Sequence, residues 1–430
     1  MVTTGVTIQR RSAAAVLAVG LALMALGLLI NWKVGRGRGE DFAYLYIVGK
    51  AVAGGKNAYD AAVQQPGFAA YLGYQPPAGI YYPPSTGIVI LPFTLLPYAV
   101  GQAAWFCLLT GVLMAGIWEL LATFAPESRP ATRVLLLGLV LCSSSLRWGF
   151  QLLQSAPLAL GLLGLFLAAL ARNRQGEAFL YVSALAWLKM TLAVPLILLA
   201  LAQRRFALVA SVLVLWAAVN CLGFARMGGV EAVQAYQQNV ARMDRPGSQD
   251  YADPHLPNAL TRLEWSYLLN AVSPEVSRSR KLSLLLFVAS ALWLGWEAWR
   301  SRAFVREAAT TGAFLAPILC LCLLGMYHHH YDACLLLAPL LVYACRPQDL
   351  RRLPGVLWFA LPVTLYACLY PIYQVQLFAS RHFGDVSYLY LRLLGCVVVT
   401  VAFLASLVAL HRHIGLQSAG RRPEAAPSEG

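Results

Sequence analysis

Long apolar runs constrain this chain more than any other feature. They cover residues 13–30, 102–121, 282–299, 356–370 and 389–410, and several reach the roughly 18 residues that cross a hydrocarbon core of about 30 Å. Such segments must satisfy their backbone polar groups internally, which favours helices. The chain is 59% hydrophobic and 12% charged, whereas soluble domains carry about 25% charged residues. The sequence therefore predicts an all-α integral membrane protein.

The arginines indicate how the apolar runs are oriented. They recur in short connecting segments, and positive residues concentrate in the cytoplasmic loops of membrane proteins. Placing them on one side gives both termini a cytoplasmic location and the chain about 12 crossings. The first run has no small-x-small cleavage site, so we expect a retained anchor. The plan comprises a cytoplasmic N-terminus at 1–12, a polytopic domain at 13–410 with external loops near 31–100, 223–281 and 372–388, and a disordered cytoplasmic tail at 411–430.

Charge and cysteine content argue against other classes of protein. The net charge is +14, but the positive residues lie in loops between apolar runs rather than in a basic soluble module, which argues against nucleic-acid binding. The nine cysteines lie almost wholly inside apolar runs, and their spacing suits neither zinc nor a disulfide framework. No cofactor, metal or obligate protein partner is indicated.

Three apolar segments do not fit simple crossings of the bilayer. Residues 42–53 have apolar positions at helical spacing and are predicted to form an amphipathic helix along the interface. Residues 86–97 are broken by proline. Residues 178–203 lie between arginine pairs that should share one side, which requires an even number of passes. Two helices of 12 or 13 residues reach only ~20 Å each, too short to span lipid twice. A protein-shielded hairpin with Lys189 near its tip satisfies both constraints.

A carboxylate at the end of the first apolar run is the main candidate for function. Asp41 follows Glu40 in an acidic, aromatic-rich stretch, and a charge beside lipid is costly unless it has a partner or a role. Simple pairing with Arg36 or a neighbouring cation is the alternative. We favour a functional Asp41 because tyrosine-rich and Tyr-Pro-Pro segments are predicted to face the same side, and we expect Glu40 to face solvent.

Histidines and cations on the same predicted side are further candidates. His328, His329 and His330 are consecutive; adjacent helical positions diverge by about 100°, so they do not suit a shared zinc ion. A simple polar turn is one alternative; contact of His329 or His330 with an anionic group, or proton transfer, is favoured. Lys189 either snorkels to the interface or binds a phosphate. Arg262 and Arg147 could bind the same phosphate. Gln154 either forms a hydrogen bond to a ligand or caps a helix.

The order of these motifs resembles a known family. An aspartate follows the first span, and a Gly-x-x-x-Tyr-Asp turn runs from Gly55 to Asp60. Tyr82-Pro83-Pro84, a glutamine element at 151–156, a lysine in a short hairpin, an Asn-x-Leu element at Asn258 and a late histidine turn follow. The pattern is similar to that of the GT-C glycosyltransferases, with closest similarity to the polyprenol-phosphate-mannose-dependent mannosyltransferases of glycosyltransferase family 87, over roughly residues 10 to 410.

This resemblance implies a fold and a reaction. The fold is a GT-C bundle with interfacial amphipathic helices in the first external loop, in the plasma membrane. The implied reaction moves a hexose, expected to be mannose, from a polyprenyl-phosphate donor to an extracytoplasmic glycan or glycolipid, with inversion. Asp41 corresponds to the general base, and His329 or His330 falls in the histidine turn. The implied substrate-binding residues are Lys189, Gln154, Tyr82, Asn258, Arg262, Tyr59 and His328.

Two other functions fit the same features. A polytopic transporter also has many spans, broken helices and buried charge, but the sequence shows no clear repeat and its polar groups cluster on one side. A lipid-linked glycan ligase or polymerase would share the donor, and the segment at 223–281 is long enough to permit it. Transfer of labelled sugar from polyprenyl-phosphate donors, with mass analysis of the product lipids, distinguishes these functions.

Overall fold

The computed structural model describes residues 2–37, 39–76, 79–243, 245, 262–272, 276–344, 354–364, 366 and 372–420. Within these ranges the chain is helical, apart from turns and one isolated antiparallel bridge between Arg262 and His329. The prediction of an all-α protein is thereby confirmed.

The helices, in chain order, are α1 (Val2–Gly37), α2 (Glu40–Gly54), α3 (Ala61–Tyr71), α4 (Pro84–Thr94), α5 (Tyr98–Phe124), α6 (Pro130–Leu141), α7 (Ser144–Leu152), α8 (Ala156–Ala171), α9 (Gln175–Leu188), α10 (Met190–Ala202), α11 (Phe206–Arg226), α12 (Val230–Met243), α13 (Trp265–Val272), α14 (Val276–Arg300), α15 (Ala308–Gly325), a 3-10 helix (His330–Leu336), α16 (Leu337–Ala344), α17 (Pro354–Thr364) and α18 (Ile372–Gly420).

Five helices of the described part are long and apolar enough to cross a membrane: Ala13–Gly37, Tyr98–Phe124, Phe206–Arg226, Arg278–Arg300 and Leu393–Ala419. A sixth crossing is formed if α6 and α7, which bend by 59° at their junction, count as one span. Several shorter apolar helices accompany them, α8 and α10 included. The protein is therefore a membrane protein built from long spans and shorter, packed helices.

Close approach of α5 and α8 forms the centre of the bundle. Their contact is made by Gly116, Gly161 and Gly164; a β-carbon on Gly116 would overlap the carbonyl oxygen of Gly161. Small residues allow two membrane helices to pack backbone against backbone, which gains dispersion contacts that lipid cannot provide. The inner helix α8 is buried over nearly its whole length. It forms a fixed support for the turns at its ends.

Helix α2 differs from its predicted form. The segment is helical, as the spacing of apolar residues indicates, but every residue from Phe42 to Gly49 is buried. It packs against α4, where Gly87 lies against Val48 and Val52. The prediction that this segment is amphipathic is therefore wrong, and its location along the interface stays a prediction. A helix that is apolar on all sides is buried by its neighbours rather than half-exposed at a surface.

The end of the chain also differs from the predicted plan. Residues 372–388, which the topology assigns to an external loop, are helical and continuous with the last span in α18. The same helix continues past the predicted end of the polytopic domain at 410, as far as Gly420. Residues 421–430 lie outside the described part of the chain.

Candidate active site

Asp41 lies in the first turn of α2, where the chain leaves the first candidate span. Gly39 adopts a left-handed conformation (φ 41°) between α1 and α2, and its amide donates to the carbonyl of Gln151 at 3.1 Å. The Asp41 carboxylate is half-buried. It accepts a hydrogen bond from the Tyr82 hydroxyl at 3.2 Å, and Gln154 also hydrogen-bonds to it. Asp41 and two other predicted site residues, Tyr82 and Gln154, therefore meet although they lie far apart in the sequence.

The turn between α7 and α8 directs Gln154 toward Asp41. Leu153 ends α7 in a left-handed conformation (φ 55°), which is sparsely populated for a non-glycine residue and marks sites held by their surroundings. Trp105 holds this turn by donating its indole N–H to the Leu153 carbonyl at 3.0 Å. The amide of Ser155 donates to Gln154 Oε1 at 3.2 Å, so the Nε2 group faces the site. It donates to the hydroxyls of Tyr82 at 3.1 Å and Tyr331 at 3.2 Å.

Tyr59 lies behind Tyr82 rather than beside Asp41. Its hydroxyl donates to the backbone carbonyl of Tyr82 at 2.9 Å, and its ring packs against Phe224 and Tyr236. Asp60 follows Tyr59 directly and caps α3, because its carboxylate accepts a hydrogen bond from the amide of Ala62. The Gly-x-x-x-Tyr-Asp element therefore fixes the backbone that carries Tyr82.

Lys189 occupies a one-residue break between α9 and α10, as the short-hairpin prediction requires. Its backbone is extended (φ −157°, ψ 100°), which leaves the last carbonyls of α9 without helical partners. The hydroxyl of Ser85 donates to the carbonyl of Trp187 at 2.9 Å, and that of Thr86 donates to the carbonyl of Leu188 at 3.0 Å. These hydroxyls follow the Tyr-Pro-Pro element directly, so one segment positions both Tyr82 and Lys189.

A buried carboxylate holds Lys189 beside the histidine turn. Lys189 Nζ lies 3.1 Å from Asp332 Oδ2, with the lysine side chain 14% exposed and the aspartate fully buried. His328 Nδ1 lies 2.9 Å from the same oxygen, and the amide of His329 donates to it at 3.3 Å. The ammonium also lies 5.5 Å from the centre of the Tyr331 ring. Because Tyr331 accepts from Gln154, this cluster and Asp41 belong to one polar network.

Arg262 lies on the other side of the histidine turn. It pairs through an antiparallel bridge with His329, and the amide of Leu263 donates to the carbonyl of His328 at 3.1 Å. The Arg262 guanidinium forms an ion pair with Glu264 and lies 4.8 Å from the centre of the Tyr327 ring. The predicted cation is therefore next to the predicted histidines, with Glu264 as its counter-ion.

Three other predicted residues are placed differently. His330 is buried and faces Trp148 and Tyr366 at ring-centroid distances of 5.7 and 6.2 Å. It therefore packs away from Asp332, the carboxylate that His328 and His329 contact. Arg147 is exposed on α7. Asn258 lies outside the described residues.

Desolvation raises the pKa of the Asp41 carboxyl to about 7. The nearby charge of Glu40 adds to this rise, whereas the hydrogen bonds from Gln154 and Tyr82 and the charge of Lys189 oppose it. A carboxyl group with a pKa near the working pH is suited to accept a proton, since it is ionised yet basic enough to bind one. Perturbed pKa values of this kind concentrate at functional sites.

The pKa of His329 is shifted in the opposite direction, downward. Desolvation and the positive charges of Arg262 and Lys189 lower the pKa of its ring to about 3, so the ring is neutral at pH 7. Its Nε2 atom lies 2.6 Å from the Tyr327 hydroxyl. His329 is therefore suited to hydrogen bonding with an anionic group rather than to ion pairing with it.

Asp332 is the residue that the sequence patterns missed. It belongs to the same turn as the three histidines, and an ionisable side chain so close to apolar segments is itself a signal of function. Its role depends on meeting Lys189, 143 positions earlier in the chain, which no local pattern encodes. Within the described residues, no group of three or more His, Cys, Asp or Glu side chains is arranged to hold a metal ion.

Comparison with known families identifies the family of the chain. The model of glycosyltransferase family 87 matches residues 81–325, a range that contains Tyr82, Gln154 and Lys189. Asp41 and the histidine turn lie outside the matched range and join it through the contacts described above. No curated protein and no solved structure matches the chain at a significant level. Because the family match covers more than half of the sequence, the chain belongs to glycosyltransferase family 87.

Proposed function

We propose that this membrane glycosyltransferase moves a hexose, with mannose as the expected sugar, from a polyprenyl phosphate to a hydroxyl of an extracytoplasmic glycan or glycolipid. The observation that carries the proposal is the single polar network that joins the Asp41 carboxylate to Lys189 and the histidine turn. A base and a cation are the two groups that such a transfer needs. The finer features, including the donor, the sugar and the side of the membrane, are our proposal.

The proposed reaction is a displacement at the anomeric carbon. The acceptor oxygen forms a bond to this carbon while the bond to the phosphate oxygen breaks, and the phosphate leaves with the electron pair. Asp41 takes the proton of the acceptor hydroxyl as the new bond forms. Attack from the face opposite the phosphate inverts the configuration. Tyr82 and Gln154 hold the carboxylate in place through hydrogen bonds.

The departing phosphate needs positive charge and hydrogen-bond donors. Lys189 supplies the ammonium group, and Asp332 fixes its position at 3.1 Å. Arg262, held at the histidine turn, and the neutral ring of His329 are the other groups that we propose for phosphate binding. Charge-assisted hydrogen bonds of this kind are roughly twice as strong as neutral ones.

The placement in the membrane follows from the same proposal. Arginines at the opposite ends of the helices favour a cytoplasmic location for those ends. We therefore propose that Asp41 and Lys189 lie on the extracytoplasmic side of the plasma membrane. The charge pattern indicates about 12 crossings. We infer that the shorter apolar helices, together with the five long candidate spans, supply them.

Purified protein in lipid nanodiscs tests the donor. Radiolabelled polyprenyl-phosphate mannose, polyprenyl-phosphate glucose and GDP-mannose are each supplied with a membrane lipid and glycan extract, and labelled products are identified by mass spectrometry. We expect transfer from the polyprenyl-phosphate sugars, with mannose preferred, and no transfer by the Asp41→Asn protein. Transfer from GDP-mannose alone contradicts the proposed donor. Labelled lipid-linked chains of increasing length identify the protein as a polymerase instead.

The pH profile should report Asp41. Because the base must be ionised and its pKa is raised to about 7, kcat/KM is expected to fall as the pH drops through about 7. Replacing Gln154 with Met removes a hydrogen bond that lowers this pKa, so the acid limb should move to higher pH. Replacing Glu40 with Gln removes a charge that raises it, so the limb should move to lower pH. Identical acid limbs in all three proteins contradict the assignment of Asp41 as the base.

The transporter alternative has a separate test, with the protein reconstituted in sealed vesicles. The clustered charges that favour a transporter also form the network around Lys189 and Asp332, but membership of a glycosyltransferase family favours chemistry. Accumulation of a labelled lipid or solute in sealed vesicles, without any new glycosidic product, supports transport.

A further inference from the structure

An apolar groove opens at the far end of the bundle from Asp41. Its volume is about 420 Å³ and its walls are α10, α14 and α15. Lys189 precedes α10 and the histidine turn follows α15, whereas the groove opens near Ala202 at the other end of α10. The 13 residues of α10 separate the two ends by ~20 Å. The groove is therefore separate from the candidate active site.

The walls of the groove form a continuous apolar slot. On α14, Ala291, Leu294, Gly295 and Ala298 line it; their spacing of three and four residues places them on one helix face. On α15, Phe314 and Ile318 form the buried floor. The stretch from Ala291 to Ala298 rises ~10 Å along the helix axis. A slot of this depth and composition suits a hydrocarbon chain.

Positive charge surrounds the mouth of the slot. Arg204 and Arg302 line the slot and also an adjoining polar cleft of about 710 Å³, which Arg306 and Glu307 complete. The guanidinium of Arg302 stacks on the exposed indole of Trp299 at 4.8 Å. Three arginines against one glutamate leave an excess of positive charge at the point where a chain in the slot would emerge.

The remaining acid nearby does not cancel this charge. Glu297 is fully buried on α14 and is occupied by Arg300 and His411, at 3.0 and 2.7 Å. Arg204 and Arg302 are exposed. A phosphate at the mouth would therefore meet two exposed guanidinium groups, which are well suited to bidentate phosphate binding.

We propose that this groove binds an anionic glycerophospholipid, with one acyl chain in the slot and the phosphate at Arg204 and Arg302. Basic pockets between membrane helices bind the head groups of acidic lipids, and Trp299 suits the boundary between chains and head groups. An apolar slot that ends at clustered arginines favours this occupant over a zwitterionic lipid, whose own cationic group the arginines repel. It also favours this occupant over a second protein copy, which would have to bring an acidic surface.

Native mass spectrometry tests the head-group preference. Wild-type protein is titrated with dioleoyl phosphatidylglycerol and with dioleoyl phosphatidylcholine, which share the same acyl chains. Both lipids carry a phosphate, but the choline cation of phosphatidylcholine offsets its charge. We therefore expect wild-type protein to bind the anionic lipid about ten-fold more tightly. The double variant Arg204→Gln/Arg302→Gln should bind both lipids equally. Equal binding of the two lipids by wild-type protein overturns the proposal.

A second variant tests the slot without changing the charge. A β-carbon at Gly295 meets nothing within 4 Å, so Gly295→Leu should fill the slot while the helix keeps its fold; leucine has the higher helix propensity. Gly111→Leu on α5 is the matched control, since this exposed glycine also has open space around it. Gly295→Leu should lose the tight phosphatidylglycerol adduct, and Gly111→Leu should keep it.

Two results would identify other occupants. If Gly295→Leu retains the lipid adduct and only the arginine variant loses it, the head group binds at the surface and no acyl chain enters the slot. If wild-type protein forms lipid-free dimers that Gly295→Leu dissociates, a second copy of the chain covers the groove. Either result contradicts the proposed lipid site.

Discussion

Asp41→Asn is expected to lower turnover by about 10²–10⁴-fold, the range that a positioned general base contributes. Asparagine has nearly the same shape as aspartate and can still accept from the Tyr82 hydroxyl, which lies 3.2 Å from the carboxylate. It cannot take the acceptor proton. Loss of kcat with little change in the inhibition constant of polyprenyl phosphate is therefore the expected kinetic result, and circular dichroism should show an unchanged helix content.

Glu40→Gln is the matched control. Glu40 is the adjacent carboxylate, but it accepts a hydrogen bond from the exposed hydroxyl of Tyr74 instead of joining Gln154 and Tyr82. We expect it to retain most of the activity, apart from the displaced acid limb. Should Glu40→Gln abolish transfer while Asp41→Asn remains active, the base is Glu40.

Some of this site was predictable because simple constraints act on it. A helix must break near Lys189, since two passes between the flanking arginines would need helices too short for lipid, and α9 and α10 do end there. A carboxylate beside the first span was expected to have a partner or a role, and Asp41 has both Tyr82 and Gln154. Hydrophobic length and charge cost are local properties, so the sequence alone expresses them.

Other features depend on packing and were not predictable. The spacing of apolar residues shows that 42–53 is helical, but not that α4 covers it, so its burial was missed. The partner of Lys189 is set by how α15 and the 3-10 helix place Asp332. His330 shares the sequence context of His328 and His329, yet it faces Trp148. Only the direction of each side chain distinguishes the three.

Lys189→Ala should have two large effects with different causes. It leaves the fully buried Asp332 carboxylate without its ammonium partner, and removal of one member of a buried pair costs about 3–5 kcal/mol of stability. It also removes a phosphate contact, and hydrogen bonds to charged groups contribute about 1.5–3 kcal/mol. Inhibition by free polyprenyl phosphate is therefore expected to weaken by about 10- to 100-fold. Thermal unfolding in detergent and the inhibition constant measure the two effects separately.

The double variant Lys189→Met/Asp332→Asn separates these causes. It removes both charges, and replacing both members of a buried pair is often neutral for stability. Asparagine can still accept from the His329 amide, which lies 3.3 Å from Asp332 Oδ2. If Lys189 binds the donor phosphate, the double variant should recover the melting temperature but not the inhibition by polyprenyl phosphate. If Lys189 only neutralises Asp332, both should recover together, because the buried carboxylate was then the sole source of the defect.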